Sequence, residues 1–355
     1  MAIIKMIIAF MMSFLQFMAP INNFFNAGGE AAYFTKWTLK SEFNESAYTV
    51  IEKDPSKDFV ILNLTDIQLN DDEVFDDMGT RSSNMIATLI EEQQPDLITL
   101  TGDNAWGTVA YIELINYIDS FGIPWAPVMG NHDGQGCVSE FWAAELFTQA
   151  ENCLFEFGPE NMGYGNYIIN IAENGEIIHT LFMLDTHSNR DYTLDDGTFL
   201  ENEYDHLWPL QMNWYTWAVN GIAEQEGRVI ESTCFMHIPV YEYRDAWEAA
   251  WDKENECFYP EYAATAFGKN SEVVCSAPVN NGFFDICKEL GSTKNMVVGH
   301  DHVNSSSIVH EGIRLTYGLK LGEGCYFEEG MTGGTTLSIH SDGSATTKHC
   351  YLELT

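Results

Sequence analysis

Residues 95–133, PDLITLTGDNAWGTVAYIELINYIDSFGIPWAPVMGNHD, run strand, helix, strand in close succession. Asp96 to Thr101 is a short run rich in Leu, Ile and Thr, too brief for a stable helix and suited to a buried strand that breaks at Gly102-Asp103. A helix is expected through Tyr111 to Asp119, and a second strand around Trp125 to Met129 ends at Gly130-Asn131-His132-Asp133. Upstream, the apolar run Phe59 to Leu64 ends at Thr65-Asp66. Arg81 to Gln94 follows, with Met85, Ile86, Leu89 and Ile90 at helical spacing, and stops at Pro95. Strand-helix units repeated in this way predict a parallel sheet carrying helices on its faces.

The second half of the chain has a different rhythm. Tyr167 to Ile171 and Glu176 to Leu184 flank Asn174-Gly175, a hairpin signal. A helix fits Leu207 to Glu226, with Trp208, Trp214 and Trp217 spaced for core packing. The strand Arg228 to Met236 ends at His237, and Asn295 to Val298 ends at Gly299-His300-Asp301-His302. Residues 306–352 alternate as antiparallel strands do, so mixed sheets stacked as two are expected. Without a linker or repeat, residues 33–355 are expected to form one domain.

Asp plus Glu number 53 against 16 Lys plus Arg, a formal net charge of -37, which disfavours nucleic acid and anionic lipid as partners. Lys5 precedes an apolar run from Met6 to Ala19, the length of a signal-peptide core and short for a membrane span. Residues 1–32 are therefore expected to be a signal peptide or N-terminal anchor with its leader, and the protein to be secreted or envelope-exposed. Membrane contact is expected only through an uncleaved N-terminal segment. The 8 cysteines form no Cys-x-x-Cys pair, which argues against a zinc ribbon and permits disulfides without choosing among pairings; Cys234 reads equally as a buried thiol.

Chemistry enters at the strand ends. Five expected strands finish in Asp66, Asp103, Asn131, His237 and the pair His300 and His302, and in open α/β sheets these ends form the ligand crevice. Singly, Gly-Asp is a turn and a strand histidine a satisfied core residue. Turn formation, however, needs no histidine at such places. Oxygen and imidazole donors without thiolates suit manganese, zinc, iron or magnesium.

Asp66-x-Gln68, Gly102-Asp103-Asn104, Gly130-Asn131-His132-Asp133, His237 before Ile238-Pro239, and Gly299-His300-Asp301-His302 together resemble the motif blocks of calcineurin-like metallophosphoesterases. Leu184-Asp185-Thr186 and Leu210 to Trp214 look like the purple-acid-phosphatase-related branch. The resemblance implies a four-layer α-β-β-α sandwich with two mixed sheets. It implies two divalent metal ions, one on Asp66, Gln68 and His302 and one on Asn131, His237 and His300, bridged by Asp103. A metal-bound hydroxide would then hydrolyse a phosphate mono- or diester of a small phosphorylated substrate. His132 would be catalytic at the leaving oxygen or the transition state, with Asp133 orienting its ring.

This sequence departs from the family pattern at Gln68, where most of the family has histidine, and Asp103-Asn104-Ala105-Trp106 offers no tyrosine of the kind purple acid phosphatases use near the Gly-Asp block to bind ferric iron. A metal-binding pseudo-enzyme or scaffold with the same fold is the alternative that Gln68 raises. Acidic pairs such as Asp71-Asp72, which in a glycosidase would matter, are expected by chance among so many carboxylates; Asp71 to Asp77 follows the first motif and is a candidate rim of the site. His187, Arg81, Arg190 and Arg244 lie near the blocks in sequence and are lesser candidates.

Overall fold

The computed structural model describes the backbone of residues 2–72, 77–136 and 139–352, and the side chains in those ranges except 2–10 and 77–80. Seven α-helices are described: α1 Ala2–Ala27, α2 Asp77–Gln93, α3 Thr108–Asp119, α4 Glu140–Gln149, α5 Pro209–Glu226, α6 Glu242–Ala250 and α7 Phe283–Leu290. They enclose two large mixed sheets. The five-stranded sheet runs Ala345–Tyr351, Gly333–Ile339, Phe59–Leu64, Leu97–Thr101, Trp125–Val128. Its last three strands are parallel, with Leu62 opposite Ile98 and Thr99 opposite Ala126. The seven-stranded sheet runs Thr49–Glu52, Tyr167–Glu173, Glu176–Met183, Glu231–Phe235, Thr293–Val298, Ile313–Tyr317, Ser307–His310.

Alternation along the strands creates the layers. In Thr293–Val298, Val297 joins the core that contains Ile61, Leu337 and Ile169 from both sheets, whereas Met296 and Val298 pack with Tyr215, Phe283 and Tyr243 of α5, α7 and α6. On the opposite side, Leu89 of α2, Ile118 of α3 and Phe147 of α4 cover the five-stranded sheet. This is the expected four-layer sandwich. One detail was not legible in the alternation of residues 306–352: the two C-terminal hairpins part company, one joining each sheet, and Ile313–Tyr317 pairs parallel with Thr293–Val298.

Helix α1 lies on α3 and α4. Phe17 packs on Trp142 with ring centroids 5.8 Å apart, the Trp142 indole donates to the Phe17 carbonyl at 3.1 Å, and Asn23 donates to Glu145 at 2.7 Å. Met11, Met12, Phe14, Leu15, Met18, Ile21 and Phe25 remain exposed. Among the described residues no helix is long and apolar enough to cross a membrane. Seven cysteines are free thiols, Cys234 among the buried ones, and Cys137 lies outside the described residues. Asp71 accepts the Val109 and Ala110 amides at 2.9 Å, so it caps α3, while residues 73–76 lie outside the described set.

His179, buried in the strand Glu176–Met183, donates from Nδ1 to the Gly343 carbonyl at 2.7 Å and accepts from Thr233 at 2.9 Å. Burial lowers its pKa to about 4. Because the unfolded imidazole titrates near 6.5, the unfolded chain binds the extra proton first on acidification. His179 therefore contributes stability that is full above pH 6.5 and is lost as pH falls toward 4. From pH 7 to 4.5 this loss is about 2–3 kcal/mol, read as a drop in urea midpoint that His179→Gln reduces.

Candidate metal centre

Asp66, Asp103, Asn131, His237 and His300 follow the C-terminal ends of strands from both sheets, and all are buried. The turns that aim them are conformationally demanding. Asp66, Gln68, Asp103 and His300 have φ of 52°, 47°, 50° and 78°, the left-handed region, which costs a non-glycine residue of order 1–3 kcal/mol. The glycine before three of the donors is a matter of space. A Cβ on Gly102 would stand 2.6 Å from His237 Nδ1, one on Gly130 2.2 Å from the Asp103 amide nitrogen, and one on Gly299 2.0 Å from Thr65 Oγ1.

His237 is oriented by the Thr101 carbonyl, which accepts from its Nδ1 at 2.8 Å. Its Nε2 then faces Asn131 Oδ1 at 2.9 Å, His300 Nδ1 at 3.3 Å and Asp103 Oδ1 at 3.4 Å. Four side chains of metal-ligating type thus meet at one point. The titration behaviour reflects how closely these groups are buried together. Burial by itself depresses His237, yet the Asp103 carboxylate outweighs it and raises the imidazole to about 10. Burial and the neighbouring His237 lower His300 to about 3, so His300 stays neutral, its Nε2 without a hydrogen-bond partner and its ring perpendicular to Tyr204 at 4.3 Å. Asp103 resists the upward pull of burial and is held below the ordinary carboxylate range by His237. A divalent ion fits this donor set: two imidazoles, an amide oxygen and a carboxylate, one of the combinations that borderline metals take. Asp66, Asp103 and His237 also place donor atoms within 4.8 Å of one another.

Beside this point Asp66 Oδ1 lies 3.4 Å from His302 Nε2, and Tyr326 fixes the His302 ring by accepting from Nδ1 at 2.9 Å. The Asp66 carboxylate also accepts from Thr65 Oγ1 at 2.8 Å and the His300 amide at 3.0 Å.

Residues 59–304 match the calcineurin-like phosphoesterase family. The chain belongs to that family. Among curated proteins it is similar to "Probable inactive purple acid phosphatase 14" of Arabidopsis thaliana, 27% identical over 68% of this chain and 61% of that protein. It is also similar to "Phosphatase DCR2" of Saccharomyces cerevisiae, 25% identical over 87% of this chain and 55% of that protein. The chain thus spans little more than half the length of these relatives. Among solved structures, a dimetal phosphatase from Danio rerio shares the fold with a TM-score of 0.52 at 12% identity, covering 83% of this chain and 96% of that one. GAP50, the anchor in the inner membrane complex of Plasmodium, does so with 0.50 at 12% identity over 83% and 85%.

Within this calcineurin-like phosphoesterase the remaining motif residues are placed as follows. His132 stands at the edge of the centre, its side chain 34% exposed and its Nε2 3.9 Å from Asp103 Oδ2. Among the described residues, Asp133 directs the hydrogen bonds of its carboxylate elsewhere than to the His132 ring. It accepts the Asn104 and Gly130 amides at 2.8 and 2.7 Å, the Asn104 side chain at 2.9 Å and the Tyr111 hydroxyl, and so ties two motif loops together. The ring is held instead by Gln135 Oε1, 2.6 Å from Nδ1, and by stacking on Trp106 at 4.9 Å. Motif reading misses Gln135, because a polar residue three positions on reads as ordinary loop.

Gln68 is the larger surprise. Lys320, buried, donates to the Asp66 carbonyl at 2.6 Å and to Gln68 Oε1 at 3.2 Å, while Gln68 Nε2 donates to Asp103 Oδ2 at 3.0 Å. The signal that could have found Lys320 is its setting: a lone cation in Leu319-Lys320-Leu321, between Gly318 and Gly322, in a chain poor in basic residues. The lesser candidates have other uses. His187 bonds Gln211 at 2.8 Å and stacks on Trp208 beside the start of α5; Arg81 pairs with Glu323, Arg190 with Asp205, and Arg244 with the Val274 carbonyl and Ser276.

Proposed function

We propose that this chain hydrolyses the phosphate ester of a small phosphorylated substrate in a metal-dependent reaction, with Asp103, Asn131, His237 and His300 as the principal cation ligands. The observation that carries the reading is the meeting of four side chains of metal-ligating type around His237 Nε2, with the partly exposed His132 beside them. A divalent ion bound there supplies Lewis acidity toward a phosphoryl oxygen and lowers the pKa of a water. The protein's own groups do the rest. Thr101 holds His237 with its Nε2 facing inward, and Gln135 and Trp106 hold the His132 ring at the open rim. With Nδ1–H committed to Gln135, His132 has Nε2 left to carry a proton to the leaving oxygen. Asp133 keeps the Asp103 and Asn131 loops in register through Asn104 and Gly130.

The net charge of -37 favours a small substrate over a polyanion. Residues 33–355 would act as one domain. An extracytoplasmic location is supported by the apolar run from Met6 to Ala19 that follows Lys5. A scaffold that binds metal without turnover is the second reading, favoured by the Gln68–Lys320 contact.

Full-length protein assayed with p-nitrophenyl phosphate and its bis-ester is expected to hydrolyse at least one in the presence of manganese, to stop after dialysis against a chelator, and to recover on metal return. Asp103→Asn is expected to be inert. Equal inactivity of both proteins with every metal would leave the scaffold reading standing, and turnover that survives chelation would refute the metal mechanism.

A further inference from the structure

The side of the centre formed by Asp66, Gln68 and His302 differs from the side formed by Asn131, His237 and His300 in one physical respect. Its amide is turned the wrong way for a ligand. A carboxamide coordinates a cation through oxygen, and its nitrogen offers only donors. Which end of Gln68 faces inward is decided by Lys320, because an ammonium has three donors and no acceptor. Lys320 Nζ at 3.2 Å therefore selects Oε1, and Nε2 is left facing Asp103 Oδ2 at 3.0 Å. An N–H thus occupies the Asp103 oxygen that a second ion would share, and the remaining donors on that side are Asp66 and His302.

The placement of Lys320 is built into the fold. Residues 318–324 run alongside 63–68: Thr65 bridges Lys320, the Leu321 amide donates to the Thr65 carbonyl at 3.0 Å, and the Gly333 amide donates to the Lys320 carbonyl at 3.1 Å. Three glycines permit the close approach. A Cβ on Gly318 would stand 2.6 Å from Asn63 Nδ2, one on Gly322 3.1 Å from the Ile67 carbonyl oxygen, and one on Gly324 2.7 Å from the Gln68 carbonyl oxygen. As an ammonium, Lys320 would also place positive charge behind Gln68, where a divalent ion on the amide oxygen would meet like-charge repulsion that a buried setting screens little.

We propose that Lys320, by holding the Gln68 amide with its nitrogen toward Asp103, closes the Asp66–His302 side to a second cation, so that the chain binds one divalent ion, at Asp103, Asn131, His237 and His300. The inference rests on the metal-dependent reading above and gives that site its stoichiometry. Lys320 is a positioning residue here; it acts through Gln68.

Manganese(II) titrated into the metal-free full-length protein, followed by equilibrium dialysis and electron paramagnetic resonance, tests this without reference to turnover. The wild type is expected to hold one ion per chain with the spectrum of an isolated ion. His302→Ala is expected to keep it, and His237→Ala to lose it. The double variant Gln68→His with Lys320→Met, which restores an inward lone pair and removes the competing cation, is expected to hold two ions with an exchange-coupled spectrum. Two ions per wild-type chain overturn the proposal and leave metal dependence intact, whereas no bound ion overturns both. A folded double variant that still binds one ion refutes the role given to Lys320. Should the double variant fail to fold, the comparison of wild type with His302→Ala decides: equal loss in His302→Ala and His237→Ala contradicts a single ion on the His237 side.

Discussion

Replacing His132 by alanine is expected to lower kcat for an alkyl phosphate ester by about 10²–10⁴-fold, the usual worth of a positioned general acid, with metal content unchanged. His132 meets Asp103 through its backbone amide at 2.9 Å, a bond that alanine keeps, and its ring lies outside the cluster of donors around His237. Loss of activity without loss of metal separates proton delivery from ligation. The leaving group sharpens the result. A nitrophenolate departs without a proton and an alkoxide does not, so the loss should be much smaller for the nitrophenyl ester than for the alkyl ester. Equal losses on both would remove His132 from the role of acid. Gln135→Ala should reproduce a milder form of the same pattern, since Gln135 holds the ring's other nitrogen.

Gly130→Ala is expected to damage fold and centre together. The added Cβ would stand 2.2 Å from the Asp103 amide nitrogen and 2.3 Å from Asp103 Oδ1, and neither neighbour can withdraw. Asp103 is fixed by its strand on one side and by the Gln68 and His132 bonds on the other. Overpacking of this kind costs about 1–3 kcal/mol, and the displaced carboxylate is itself a proposed ligand, so manganese affinity should fall with the melting temperature. Gly227→Ala is the control. Gly227 ends α5 with φ of 67° and nothing within 4 Å of its Cβ, so alanine there costs only the left-handed backbone, about 1 kcal/mol, and leaves metal binding alone. If both variants lose metal affinity alike, the close contact at Gly130 is not what places Asp103.

Much of the fold was legible because its signals are local. The runs Phe59–Leu64, Leu97–Thr101 and Trp125–Val128 lie where hydrophobic period and punctuation put them, and the helix expected at Arg81 to Gln94 is α2, one turn longer at its start. The strand expected from Arg228 begins at Glu231, since Gly227 closes α5 and the next residues only carry the chain back to the sheet. The partner of each C-terminal hairpin was not legible, because alternation records which face is buried and not which edge is free.

The amino-acid sequence by itself determined the membership of this chain in its family, the order of polar residues at successive strand ends, and the unusual glutamine among them. Those are properties of residue type and spacing. Tertiary structure alone decided what the glutamine does. An amide has two unlike ends, and which one faces Asp103 depends on Lys320, 252 residues away in sequence and brought against Gln68 by the glycine-lined segment that follows the second sheet. It likewise gave the His132 ring to Gln135 and Asp133 to the loops, since hydrogen bonds go to the partner within reach in three dimensions and not to the neighbour in the motif.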